Sequence, residues 1–180
     1  SNITTLSWDY VLHRSAAMKT SMDIRLRKRN SHSFLNDVEL PIQAMHQTSM
    51  EVGFAERLYL QRDTLYFRLA HRFGLGWLGA QKEKPYDDAP KTLYRMWLLD
   101  VDFVHPFEFS HRPATFTTSF HGQYTMDDMR LYGVDMTSMG NRYTVRGFDG
   151  EITLMGTNGW YLQNELSTRF PKQKAELYLG

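Results

Sequence analysis

The sequence predicts an all-β fold of long antiparallel strands, and three observations support this. Apolar and polar residues alternate with a period of two along most of the chain, which is the pattern of strands with one apolar and one polar face. Several alternating segments are about ten residues long or longer, whereas strands of soluble proteins cluster near about five or six. No stretch shows the 3.6-residue period of an amphipathic helix.

About nine strands follow from this alternation. Between them lie turn residues such as those at 30–33 and 61–63, and a polar loop at 74–90. The segment near Val38 is the least regular, because Pro41 inside a strand favours an edge or a bulge. In chain order the predicted strands cover residues 6–12, 18–27, 38–43, 50–60, 65–73, 93–104, 114–126, 160–167 and 175–180.

At 180 residues the chain is long enough to form one domain with a sizeable core. The net charge of +1 gives no electrostatic basis for nucleic-acid binding. The absence of cysteine excludes disulfides, zinc fingers and thiol catalysis. No apolar run approaches the ~18 residues of a membrane helix, and no signal peptide begins the chain. Since the chain starts within a strand-like pattern, we expect it to be a piece of a longer protein.

The charged and aromatic residues favour a transmembrane β-barrel over a soluble barrel or sandwich. The polar faces carry charges in mid-strand, at Asp23, Arg25, Arg68 and Arg72, which suits a water-filled lumen. Aromatic side chains recur near the predicted strand ends, as in the interfacial girdles of membrane barrels. These aromatic residues are Trp8, Tyr59, Trp77, Phe107, Tyr124 and Trp160.

A long glycine-containing loop, residues 127–158, separates two of the clearest strands. Loops of this size inside a compact fold are usually functional or disordered. Near its middle lies the sequence Val145-Arg146-Gly147-Phe148, followed by Asp149 and Gly150. A cation and an aromatic residue beside two glycines indicate a loop that packs against another part of the protein, so we regard residues 145–150 as the candidate functional motif.

Other residue groups do not indicate an enzyme. The seven histidines lack the paired spacing of a metal site. Asp100 and Asp102 share one strand face but have no nucleophile or base placed with them, so a lumen lining is the simpler interpretation. The basic run from Arg25 to Arg29 is best explained as charges at a strand end, and the ten methionines as packing. Neither a phosphate-binding loop nor a nucleophile elbow is present. We therefore predict no catalysis, no metal and no cofactor.

The motif and its surroundings resemble a known family. The stretch from Asn141 to Glu151, with Gly159-Trp160 and the residues to Leu166, is similar to the TpsB transporters of two-partner secretion, the haemolysin-activator and CdiB-like outer-membrane proteins. The segment from Trp77 to Ala80 also resembles them. The Val-Arg-Gly-Phe core alone is shared with BamA-type barrel-assembly insertases, whereas the longer context is typical of the secretion branch.

This resemblance implies a 16-stranded outer-membrane barrel, of which the chain would cover roughly strands five to thirteen. A signal peptide, a plug helix and two POTRA domains would precede the barrel in the whole protein. The motif would lie on the sixth extracellular loop, folded back into the lumen. Arg146 would pair with an aspartate on strand thirteen, which we expect just beyond Gly180, so this piece alone would not close a barrel.

The function implied by the resemblance is translocation of a large secreted protein through the outer membrane of a Gram-negative cell. The expected partners are a TpsA-type secreted protein (a haemolysin, an adhesin or a contact-dependent inhibition toxin) and outer-membrane lipid, with no nucleic acid. Two alternatives stay open at this point. One is a soluble β-rich binding module that uses the long loop for recognition, and the other is a BamA-type insertase.

Overall fold

The structure, a computed structural model, describes residues 2–31, 34–35, 38–39, 45–83, 89–110, 112–126, 129–139, 154–170 and 175–179. Most of these residues form strands, as the period-two alternation predicts. The residues between the strands include a 3-10 turn, η1 (Gly133–Asp135). In chain order the strands are β1 (Asn2–Arg14), β2 (Met18–Ser31), β3 (Phe34–Leu35), β4 (Val38–Glu39), β5 (Met45–Leu60), β6 (Asp63–Leu75), β7 (Arg95–Phe109), β8 (Arg112–Thr125), β9 (Thr137–Met139), β10 (Leu154–Gly156), β11 (Gly159–Phe170) and β12 (Ala175–Leu179).

The eight longer strands form one antiparallel sheet in the order β1-β2-β5-β6-β7-β8-β11-β12. Each strand therefore pairs with its predecessor in the meander, and β1 and β12 lie at the two open edges. Short turns, such as residues 15–17 and 61–62, join the strands at one end of the sheet. Longer connections, residues 32–44, 76–94 and 126–158, join the strands from the other end of the sheet. This confirms the predicted all-β, antiparallel architecture.

Several strand boundaries differ from the sequence-based prediction. Of the segment predicted at 38–43 the structure describes Val38–Glu39, which pairs with Phe34–Leu35 in a separate two-stranded sheet, and residues 40–43 lie outside the described residues. Within the described residues the main sheet has eight strands. In addition, β2 continues to Ser31 and β7 continues to Phe109. The basic run and Pro106 therefore lie within strands, since Pro106 still occupies a register position opposite Thr115.

The two faces of the sheet show the reverse of the usual distribution of residues. One face, here called the outer face, exposes large apolar side chains, whereas the opposite inner face buries charged and amide side chains. A single-layer sheet can shield side chains on one face only by curving around them or by accepting a covering segment. The exposed apolar residues include Leu6, Trp8, Phe54, Leu69, Trp97, Trp160 and Leu162, and the buried polar residues include Asp23, Gln47, Glu51, Arg68 and Gln123.

The small apolar core lies on the inner face, near the end that carries the long connections. It consists of Ala70, Tyr94, Met96, Leu98 and Leu131, with Met129 and Met136 packed against it. Residues from the connection between β8 and β11 thus cover part of the inner face. Within the described part of the chain, no helix has the length and apolar character needed to cross a membrane.

Candidate functional site

The inner face carries two polar regions that differ in composition. The first, here called the charge cluster, consists of Asp23, Arg25, Glu51, Arg68 and Arg72. The second, here called the stem, consists of residues 129–139 and 154–158, the two limbs of the long connection, where they lie against the wall.

Arg68 is the centre of the charge cluster. Its Nη2 lies 2.7 Å from both carboxylate oxygens of Asp23 and 2.6 Å from Oε1 of Glu51, and its Nε lies 3.0 Å from Asp23 Oδ1. All three residues are buried. The guanidinium supplies the planar set of donors that such a two-carboxylate arrangement requires.

Gly53 allows this ion pair to form across a strand. Arg68 is on β6 and Asp23 is on β2, so the guanidinium must pass over β5, which lies between them. Gly53 is the register partner of Asp23, and a Cβ placed on it would lie 2.1 Å from Asp23 Oδ2 and 2.5 Å from Arg68 Nη2. Any side chain here would occupy the space of the ion pair. A glycine inside a strand commonly marks this kind of close approach.

Further charges extend the cluster along the wall. Arg72 pairs with Glu51 at 2.6 Å, and the more exposed Arg25 lies 3.1 Å from Asp23 and 3.6 Å from Glu51. Asp100 lies 4.0 Å from Arg68.

On the other side of Asp100, the ring of His121 is 2.5 Å from its carboxylate and is itself packed beside Tyr161. Each carboxylate therefore has a cationic or imidazole partner, which indicates a structural lining rather than acid–base chemistry. Across the described residues no group of His, Cys, Asp and Glu could hold a metal ion.

The two limbs of the stem pair with each other as a short ribbon, in which β9 pairs with β10. The Gln123 side chain, on β8, bonds both limbs of this ribbon. Its Nε2 donates to the carbonyl of Asp135 at 2.9 Å and to that of Thr157 at 3.0 Å. The Thr125 hydroxyl also donates to the Thr157 carbonyl, at 2.8 Å. The two limbs are therefore fastened side by side to the end of β8.

The Asp135 side chain reaches farther across the wall. Its carboxylate accepts a hydrogen bond of 2.6 Å from Gln47 Nε2, on β5, and one of 3.1 Å from the Tyr94 hydroxyl. Asp135 is only 8% exposed. Burial, reinforced by the Asp135 charge, raises the pKa of the Tyr94 hydroxyl above its ordinary range, so Tyr94 remains a donor.

Glu83 holds the segment that presents Tyr94. Its Oε1 accepts hydrogen bonds from the backbone N–H groups of Thr92 and Leu93, at 2.7 and 2.8 Å, and from the Thr92 hydroxyl. Burial alone would raise the pKa of Glu83, but these donors together hold it below its ordinary value. The carbonyl of Tyr94 in turn accepts the N–H of Gly74 at 2.9 Å.

The predicted motif, Val145, Arg146, Gly147, Phe148, Asp149 and Gly150, lies outside the described residues, which stop at 139 and resume at 154. Its role therefore stays a prediction. What the structure adds is the stem from which this segment departs and to which it returns. Sequence reasoning missed the roles of Gln123 and Asp135, because their partners are brought together only by the fold.

The fold and the inner face together define a class of protein. A single antiparallel sheet of long strands, apolar outside and ion-paired inside, with short turns at one end and long connections at the other, is the wall of a transmembrane β-barrel with a wet lumen. The sequence model of one family, described as haemolysin secretion/activation protein ShlB/FhaC/HecB, matches residues 1–180. The chain belongs to this family, which confirms the resemblance to the two-partner secretion transporters.

Individual relatives support the same assignment. The chain is 34% identical to the outer membrane transporter CdiB-2 of Burkholderia pseudomallei over 94% of this chain and 29% of that protein. Among solved structures, CdiB from Acinetobacter baumannii matches 94% of this chain and 28% of that chain, with TM-score 0.80 and 31% identity. CdiB from Escherichia coli matches 92% of this chain and 30% of that chain, with TM-score 0.84 and 30% identity.

The chain therefore spans less than a third of the length of the relatives it matches. The named relatives locate this family in the outer membrane of Gram-negative bacteria.

Proposed function

We propose that the protein to which this chain belongs is an outer-membrane pore that translocates a large secreted protein by two-partner secretion. The expected cargo is a TpsA-type protein: a haemolysin, an adhesin or a contact-dependent inhibition toxin. We propose no catalysis and no cofactor. The observation that carries this proposal is the pairing of an exposed apolar outer face with a buried, charged inner face, in a chain of the haemolysin secretion/activation family.

The charge cluster suits a polypeptide-conducting lumen. A translocating chain carries side chains of both signs, so a lining with many unpaired charges of one sign would retain part of it. In the cluster, Arg68 and Arg72 are neutralised by Asp23 and Glu51 at 2.6 to 2.7 Å. The lining is therefore polar enough for water, yet its charges are already satisfied by the wall.

The stem supports a lumenal position for the motif loop. Both limbs of the connection lie against the inner face, where Asp135 and Thr157 are bonded to Gln123. We propose that Arg146 then pairs with a carboxylate of the completed barrel, since a buried arginine is stable only when paired and hydrogen-bonded. Gly147 would permit the close backbone approach, and Phe148 would pack against the wall.

The experiment uses the full-length parent protein in planar lipid bilayers and in cells that express its secreted partner. We expect single-pore conductance, and we expect Arg146→Ala to change that conductance and to reduce secretion at unchanged barrel levels. Arg142→Ala, in the same segment but outside the motif core, is the matched control. Undiminished secretion by Arg146→Ala would refute the role of the motif. A parent protein that stays monodisperse without detergent and never inserts would refute the pore itself.

The two alternatives are less well supported. A soluble binding module would leave large apolar side chains in contact with water, because Leu6, Trp8 and Trp160 are each more than half exposed on the outer face. Large apolar patches of this kind mark contact with lipid or another protein. An insertase shares the Val-Arg-Gly-Phe core, but the chain matches the haemolysin secretion/activation family over its whole length.

A further inference from the structure

The two limbs of the long connection share one point of attachment. Gln123 Nε2 has two hydrogens, and the carbonyls that accept them belong to Asp135 on the outgoing limb and Thr157 on the returning limb. One amide group thus bonds both limbs at once. Any movement of either limb away from β8 breaks a bond to the same side chain.

Asp135 adds an attachment three strands away. Gln47 lies on β5, whereas Gln123 lies on β8, with β6 and β7 between them. The Asp135 carboxylate bonds Gln47 at 2.6 Å and Tyr94 at 3.1 Å, while its backbone carbonyl bonds Gln123. The stem therefore lies across the inner face from β8 to β5 and is bonded at both ends of that path.

Apolar side chains also pack between the stem and the wall. Leu131 is 1% exposed and joins Ala70, Met96 and Leu98 of the wall, with Met136 packed on the group. Burial of these side chains excludes water from the Asp135 hydrogen bonds. Such shielding strengthens each bond and makes an unpaired partner costly.

We propose that the stem is an anchor in its own right, which positions the motif loop in the lumen and holds independently of the contact made by Arg146. Gln123, Asp135 and Gln47 are then positioning residues for the loop. This inference rests on the proposed function only for its consequence, the effect on secretion. The loop would be attached to the barrel at two separate places, so losing the Arg146 contact would free its tip and leave the stem docked.

The amide–carboxylate pair permits a sharp test by exchange of partners. In Asp135→Asn the charged acceptor of the Gln47 and Tyr94 hydrogen bonds becomes a neutral amide, which weakens both bonds, and in Gln47→Glu two carboxylates face each other. In the double variant one amide and one carboxylate are again opposed, with the donor and acceptor exchanged, and Tyr94 can still donate to the residue at 135. The double variant should therefore restore what each single variant loses.

The measurement is the distance distribution between two nitroxide labels in the full-length parent protein, freed of other cysteines. Val134→Cys labels the exposed side of the stem, and Leu60→Cys labels the opposite end of β5. We expect one narrow distribution for the parent, for Arg146→Ala and for the double exchange variant. We expect a broad distribution for Asp135→Asn, for Gln47→Glu and for Gln123→Leu. Ser119→Ala, on the same face of β8, is the control.

Secretion provides the second readout. We expect Asp135→Asn to reduce secretion by roughly tenfold, the scale of one lost buried hydrogen bond to a charge, and the exchange variant to restore it. If Arg146→Ala broadens the distribution as much as Asp135→Asn, or if the exchange variant stays broad, the independent anchor is refuted.

Failure of the proposed function would give a different set of results from failure of the anchor. The label distances would follow the expected pattern, while no variant altered conductance or secretion. If a single variant assembles poorly, Gln123→Leu tests the same anchor from the other end of the stem.

Discussion

The charge cluster and the stem lie on the same inner face but satisfy their polar groups in different ways. In the charge cluster every partner belongs to the sheet, because Asp23, Glu51 and Arg68 come from three adjacent strands. In the stem region the wall residues Gln47 and Gln123 find their partners on the connection between β8 and β11. One region is complete without the connection, whereas the other depends on it.

This difference separates stability from function on one surface. Breaking the charge cluster should damage the wall itself, since charges buried in the sheet would lose partners that come from neighbouring strands. Breaking the stem should leave the strands paired and release only the connection. The two regions therefore predict two kinds of variant: one that fails to assemble, and one that assembles but positions its loop badly.

Arg68→Met should have the largest effect, because it leaves Asp23 buried without its main partner and removes one of the arginines that Glu51 bonds. We expect the free energy of unfolding to fall by roughly 3–5 kcal/mol. Urea titration of the full-length protein in lipid vesicles, followed by tryptophan fluorescence, measures this change.

Arg25→Met is the matched control, since Arg25 contacts the same two carboxylates from a side chain that is 39% exposed. Its loss should be about 0–1 kcal/mol, as for surface ion pairs. Equal losses in the two variants would show that burial does not distinguish the two arginines, and the description of the cluster as a structural centre would be wrong.

Gly53→Ala should come next, because its methyl group would occupy the space between Asp23 and Arg68. We expect a loss of roughly 1–3 kcal/mol from this overpacking. The same titration measures it, and Gly76→Ala is the control, since a Cβ there would meet only Leu93 at 3.7 Å. Combining Gly53→Ala with Arg68→Met should cost less than the sum of the two, since the guanidinium that the methyl group meets is gone. If the two losses of unfolding free energy were strictly additive, the Arg68 guanidinium would not pass over Gly53.

Most of the fold could be predicted from the sequence because the signal is local. The alternation of residues such as Phe54 and Leu69 with Gly53 and Arg68 reports which face each side chain occupies, and no tertiary information is needed. Near Val38 the local pattern indicated a strand, but its partner, Phe34–Leu35 in a separate two-stranded sheet, could not be read from the alternation. Strand ends at Ser31 and Phe109 were missed because turn-forming residues also occur within long strands.

The site was predicted less completely, for a different physical reason. Mid-strand charges such as Asp23 and Arg68 indicated a wet face, but their pairing depends on the register of three strands and on a glycine between them. Asp135 and Gln123 gave no local signal, because an aspartate in a loop and a glutamine on a polar strand face are both ordinary. The motif around Arg146 was identified by its resemblance to a family, and the described residues leave its contacts as a prediction.

Glu83 gives the smallest effect, and it tests the stem region rather than the charge cluster. The pKa of Glu83 lies below its ordinary value of 4.5 when the protein is folded. Its hydrogen bonds to Thr92 and Leu93 therefore contribute stability that is fully present above that value and is lost as the pH falls through the folded pKa. Hydrogen exchange at the Thr92 and Leu93 amides, corrected for the intrinsic rate, should become faster below about pH 4.5. The corresponding fall in the free energy of opening should be roughly 1 kcal/mol or less.

Glu83→Gln should remove this pH dependence, because a neutral amide oxygen still accepts hydrogen bonds but does not titrate. Its protection should be lower than that of the parent at neutral pH and similar to it in acid. The amide of Leu98, within β7, is the internal reference and should not respond over the same range. If the variant kept the acid-dependent exchange of the parent, Glu83 would not be the titrating group, and the segment that brings Tyr94 to Asp135 would have to be held by other contacts.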